Sequence, residues 1–124
     1  MHERRGLLAS LDATSLFANV PIDATIDVIL QYVYESPTVP PLRLSKDILR
    51  EMLYLCTKEA PFRCPEGNLY QQANGVAMGS PLGVLFAECY ISSVEDQVLQ
   101  SLATQPYIYC RYVDDICVDI TTQT

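Results

Sequence analysis

The stretch PYIYCRYVDDICVDI, residues 106–120, sets two adjacent aspartates, Asp114 and Asp115, inside a run of tyrosines and β-branched residues. Adjacent carboxylates repel. Burying either one costs several kcal/mol unless a cation or a set of hydrogen bonds compensates it. The flanking residues favour strands, so the pattern predicts strand, tight turn, strand, with the acidic pair at the tip. A pair so placed is either a solvated turn or part of a cation site. For an arbitrary sequence the solvated turn is the commoner case.

Read outward from that hairpin, the chain has one other strand that ends on an acid. GLLASLD, residues 6–12, is a short apolar run and predicts a buried strand with Asp12 at its C-terminal end. An irregular link containing Pro21 follows. Asp23 is the expected N-cap of a helix over about 24–35, whose apolar face is Ile22, Ile26, Ile29, Leu30 and Val33. After the proline-rich loop 36–43, Ser45 caps a second helix whose apolar side is Ile48, Leu49, Met52, Leu53, Leu55 and Cys56. PFRCPEGNLYQQANG, residues 61–75, reads as a hairpin with PEGN at its tip. A glycine-punctuated loop, GVAMGSPLG (75–83), leads into a long helix over about 81–103. Pro81 suits the first turn of that helix, and Val84, Ala87, Ile91, Val94, Val98 and Leu102 recur along it at helical spacing. The order strand, helix, helix, hairpin, helix, hairpin predicts an α+β fold, an antiparallel sheet with helices on one face.

Composition narrows the function. With 124 residues, 49% of them hydrophobic, the chain is globular and has the size of one small domain or of a piece of a larger one. No apolar run reaches the ~18 residues of a membrane span, and no secretory signature is present. Five cysteines without a CxxC, and the lone His2, argue against a zinc site or a disulfide framework. Reduced thiols in an intracellular protein are expected, with the cysteines filling core or strand positions; the nucleus is compatible with that but not singled out. The net charge of −7 opposes a stand-alone nucleic-acid binder, which ordinarily carries a basic surface.

If the strand ending at Asp12 lies beside the hairpin, Asp12, Asp114 and Asp115 converge at one edge of the sheet. Hard oxygen donors of this kind suit Mg²⁺ or Mn²⁺. Two such ions can activate an attacking hydroxyl and stabilise a departing pyrophosphate.

The segments SLDATSLFANVPID, NGVAMGSPLGVLFAECYI and YCRYVDDI occur in this order and resemble motifs A, B and C of reverse transcriptases, which are RNA-directed DNA polymerases. The wording is closest to Penelope-like retroelement enzymes, relatives of telomerase reverse transcriptase. The resemblance runs from about residue 7 to 120, with motif A at about 7–20, motif B at about 75–90 and motif C at about 107–120. It implies that the chain, residues 1–124, is a fragment of a right-hand polymerase palm with fingers and thumb largely missing. It further implies two-metal transfer of a nucleotide from a dNTP to a primer 3′-hydroxyl, with two Mg²⁺ or Mn²⁺ ions, an RNA template, a DNA primer and no membrane.

By the same resemblance, Asp12 and Asp114 are metal ligands and the backbone carbonyl of Ala13 adds a further ligand. Asp115 is their less direct neighbour. Phe17 stands where the family places an aromatic gate against the 2′-hydroxyl; read from the residue alone it is core. Gly75, Gly79 and Ser80 form the loop that approaches nucleotide or template, with Met78 where many relatives have glutamine; Ser80 also reads as a helix cap. Tyr112 and Val113 face the primer end and the active-site floor, or simply pack in the sheet. Arg111 contacts a phosphate or is a surface charge, and Gln71 and Gln72 are exposed strand residues. The alternative to a catalytic palm is a non-catalytic retroelement remnant, at most a small binding domain. An RNA-dependent RNA polymerase palm is a weaker third reading, opposed by the aromatic Phe17.

Overall fold

The computed structural model describes residues 6–38, 40–77 and 80–121. The aspartate hairpin forms as its residues dictate: β4 (Ile108–Tyr112) and β5 (Asp115–Thr121) pair antiparallel around a two-residue turn. The strand β1 (Gly6–Asp12) joins the other side of β5, also antiparallel, giving the order β1–β5–β4. Successive side chains in a strand point to opposite faces. One face of the sheet therefore carries Ala9, Leu11, Val118, Tyr109 and Arg111, and the other carries Ser10, Asp12, Asp115, Cys117, Cys110 and Tyr112.

The helices build the core. They are α1 (Leu16–Asn19), α2 (Ile22–Glu35), α3 (Lys46–Thr57) and α4 (Pro81–Ser101). Phe86 of α4 meets Ile26 and Leu30 of α2 and Val20, all at most 1% exposed. Gly83 and Ala87, on the same side of α4 as Phe86, keep that surface small enough for close packing. A separate two-stranded hairpin, β2 (Pro61–Arg63) and β3 (Leu69–Gln71), turns at Gly67 with φ +94° and stacks Phe62 on Tyr70 with ring centroids 6.1 Å apart. Among the described residues, no helix is long and apolar enough to cross a membrane.

Several expectations are corrected. The strand β1 is not buried: Leu7, Leu8 and Leu11 are 55–72% exposed. It is an edge strand, and among the described residues the apolar contact of the helical core with this end of the sheet is through Ala13. The helix α2 begins at Ile22 with Pro21 as N-cap, so Asp23 lies in the first turn instead of capping it. There its carboxylate accepts from the Tyr54 hydroxyl and pairs with Lys58 at 3.3 Å. The Tyr54 bond, then Lys58, holds Asp23 below its ordinary carboxylate range.

Ser45 caps α3 as expected, its side chain accepting from the Ile48 amide at 3.3 Å. Only Leu53 of α3 is buried, because α3 packs chiefly on α2 and leaves Ile48, Met52, Leu55 and Cys56 exposed. On α4 the buried stripe is Gly83, Phe86, Ala87 and Ile91, whereas Val84, Val94, Val98 and Leu102 are exposed. The four-residue α1, fastened by the Asn19 amide donating to the Ser15 carbonyl at 3.0 Å, replaces part of the expected irregular link.

The loop before α4 docks on α1. The Val76 amide donates to the Phe17 carbonyl at 2.7 Å. Gly75 adopts φ +72°, and a Cβ on it would sit 2.4 Å from the carbonyl oxygens of both Phe17 and Ala18. The close approach that glycine permits here is thus to the chain's own backbone. Gly75→Ala is expected to destabilise the fold by at least about 2 kcal/mol, combining the left-handed backbone with the clash. Gly67→Ala, also left-handed but in open space, should cost only about 1 kcal/mol. Urea unfolding of the two variants measures the difference.

Candidate metal centre

Ladder register brings the three acids together. Asp12 is directly opposite Asp115, and the Ala13 amide donates to the Asp114 carbonyl at 2.9 Å, extending the pairing into the turn. A carboxylate oxygen from each of Asp12, Asp114 and Asp115 lies within 4.8 Å of the others. Asp12 and Asp115 are exposed and Asp114 is half-buried. Among the described residues, no lysine or arginine pairs with any of the three. Three converging carboxylates without a protein counter-charge form a hard-oxygen donor set that fits a divalent cation such as Mg²⁺ or Mn²⁺.

The turn that presents Asp114 is strained. Val113 has φ +54°, as a two-residue hairpin requires but as a β-branched residue resists. Arg111 holds it there by donating from Nη1 to the Val113 carbonyl at 2.8 Å. The same guanidinium forks onto Glu88 at 2.9 and 3.1 Å, donates from Nε to Glu95 and reaches Ser92 at 3.3 Å. Its side chain is only 9% exposed. Arg111 is therefore not a free surface charge; it is the clamp that ties the turn presenting Asp114 to α4. The Glu88 bonds hold its pKa above the ordinary value against the opposing effect of burial, and Glu95 adds to them.

Tyr109, on the same face, donates its hydroxyl to Glu95 at 2.8 Å. Burial, reinforced by that bond, pushes its pKa up to about 12. Sequence reasoning missed this cluster. Its signal was present: Glu88, Ser92 and Glu95 recur at helical spacing on one side of α4.

Of the other residues implicated by sequence, Ala13 lies at the site through its bond to Asp114. Tyr112 closes the hairpin opposite Asp115 and is 80% exposed. Phe17 is half-buried against the helical core, its Cδ1 3.7 Å from where a Cβ on Gly83 would lie. Ser80 is the N-cap of α4, without a side-chain capping bond. Gly79, Met78 and His2 lie outside the described residues. Gln71 donates to the Lys58 carbonyl and Gln72 to that of Asn74. A cleft of about 460 Å³ between the α1–α2 junction and residues 72–75 includes none of the three acids.

No protein-family model and no curated protein matches the sequence. The backbone does match solved structures. A structure of telomerase from Candida albicans in complex with a TWJ fragment of telomeric RNA superposes with a TM-score of 0.69 over 93% of this chain, at 14% identity. A structure of apo telomerase from Candida tropicalis, truncated from its C-terminal domain, gives 0.68 over 95%, at 19% identity. The fold is shared with fungal telomerase. Telomerase is a reverse transcriptase, and at these identities the likeness is one of fold. This chain spans 23% and 24% of the two telomerase chains, about a quarter of their length.

Arg111→Met leaves Glu88 and Glu95 facing each other without their cation and frees the Val113 carbonyl. It is expected to cost about 2–3 kcal/mol in urea unfolding. The Tyr109 proton gives a pH signature. Because its pKa is raised in the fold, its contribution to stability is complete below about 10 and is lost as pH rises from about 10 to about 12. The stability difference between wild type and Tyr109→Phe, followed across that range, should shrink with rising pH.

Proposed function

We propose that this chain is the catalytic palm of an RNA-directed DNA polymerase of the Penelope-like retroelement kind. The observation that carries the reading is the convergence of Asp12 with Asp114 and Asp115, from strands about a hundred residues apart, with carboxylate oxygens within 4.8 Å of one another. The fold shared with telomerase supports it, as does the order of the three sequence motifs.

In this reading Asp12 and Asp114 hold Mg²⁺ or Mn²⁺, with Asp115 beside them and the Ala13 carbonyl as a further donor. When bound, the cations activate a primer 3′-hydroxyl for attack on the α-phosphorus of a dNTP and neutralise the departing pyrophosphate. Phe17 gates the sugar against a 2′-hydroxyl. The loop containing Gly79 and Ser80 approaches the nucleotide at the positive end of α4. Tyr112, exposed at the hairpin end, and Val113 face the primer terminus. The RNA template and DNA primer are gripped by basic surface elsewhere in the enzyme, since a net charge of −7 supplies little phosphate affinity here.

The test is Mn²⁺ titration of the chain followed by electron paramagnetic resonance. Asp12→Asn and Asp114→Asn are each expected to weaken binding at least about ten-fold, no less than loss of a supporting residue does at other metal sites. Asp119→Asn, farther along β5, should leave it unchanged. Binding that is absent, or indifferent to Asp12 and Asp114, would leave the non-catalytic remnant as the reading to keep.

A further inference from the structure

The face of the sheet that carries Asp12 and Asp115 also carries two thiols. Cys110 of β4 stands directly opposite Cys117 of β5, and both are free and exposed. The Ala13 amide bonds to the Asp114 carbonyl. By alternation, residues 116, 118 and 120 turn their backbone groups toward β1, and 115, 117 and 119 turn theirs toward β4. Cys110 and Cys117 are therefore a hydrogen-bonded cross-strand pair, with Cα atoms about 5.5 Å apart, inside the range a disulfide spans. Directly opposed side chains leave the sheet on the same side, and the third residue of their row, Ser10 of β1, is too small to cover them. The remaining cysteines have no such relation. Cys56 lies on α3, Cys64 follows β2 and Cys89 lies on α4.

We propose that Cys110 and Cys117 form a reversible dithiol–disulfide modification site for low-molecular-weight disulfides, of which glutathione disulfide is the probe. One cysteine sulfur, its proton given up to water, attacks a sulfur of glutathione disulfide. The glutathione S–S bond breaks, one glutathione thiol leaves and a mixed disulfide remains. The opposed cysteine then attacks the protein sulfur of that mixed disulfide, forms the Cys110–Cys117 bond and expels the second glutathione. Two protein thiols are oxidised, one glutathione disulfide is reduced to two thiols, and the two protons end on those thiols.

Cβ atoms at such a pair are about 4.5–5.5 Å apart, against about 3.5–4.5 Å in a relaxed disulfide. The bond therefore forms by drawing the strands together, which makes it reducible instead of structural. It sits two residues from Asp115 and rivets β4 to β5 beside the three acids. The site stands on the ladder alone and holds whether or not the chain is a polymerase palm.

The test treats the folded 124-residue chain with glutathione disulfide, alkylates the remaining thiols and maps the peptides by mass spectrometry. The expected result is a fall from five alkylatable cysteines to three, a mass loss of two hydrogens and a single linked pair, Cys110 with Cys117. Cys110→Ser and Cys117→Ser should each stop at a lasting glutathione adduct on the surviving partner, and urea-unfolded chain should lose the selectivity. Two separate adducts on wild-type Cys110 and Cys117, five unreacted thiols, or linkage to Cys56, Cys64 or Cys89 would overturn the proposal.

Discussion

One guanidinium holds the two halves of this molecule in register. The helical core is built from α1, α2, α3, α4 and Val76, and the sheet adds to it little beyond Ala13 at the end of β1. Apolar packing alone therefore leaves the sheet loosely attached. Arg111 makes the connection, with Glu88, Ser92 and Glu95 of α4 on one side and the Val113 carbonyl on the other. Tyr109 adds a second strut to Glu95. A cation nearly removed from water and bonded to two carboxylates is costly to strip of them, because Arg111 left alone would be a buried charge without compensation.

This division of labour explains the surface. Leu7, Leu8 and Leu11 stay exposed because β1 is an edge strand that the core does not reach. On the Leu11 side of the sheet an apolar groove of about 700 Å³, with Leu11, Val98, Leu102, Val118 and Ile120 among its lining, runs between the sheet and the end of α4. The open face on the other side of the sheet holds the acids and the opposed cysteines. Chemistry-bearing residues and helix-packing residues thus alternate along the same strands, as the two-residue period of a strand requires.

Much of this was legible in the sequence, and the failures have a common cause. The hairpin around Asp114, the strand delivering Asp12, the Ser45 cap and the PEGN turn are local, fixed by neighbours a few residues away. Burial is not local. Hydrophobic periodicity finds a stripe on α4 but does not say which neighbour will cover it, so Val84 and Val98 read as core while Gly83 and Phe86 do the packing. Asp23 reads as a cap because caps are what aspartates before helices usually are; Tyr54 and Lys58, more than thirty residues on, claim it instead. Arg111 is the clearest case. Its partners are visible as an acidic series on α4, but nothing in the linear chain says that this side of the helix will lie under that strand.

The turn at Val113 and Asp114 has a consequence of its own. Its two successive carbonyls are pinned from opposite directions, that of Val113 by an arginine anchored to a helix and that of Asp114 by the amide of an adjacent strand. The loop is thus under joint control of two elements that otherwise share little contact. The placement of the Asp114 carboxylate at its tip becomes a gauge of how well sheet and helices are docked, one that would register a slackened interface before the chain as a whole comes apart.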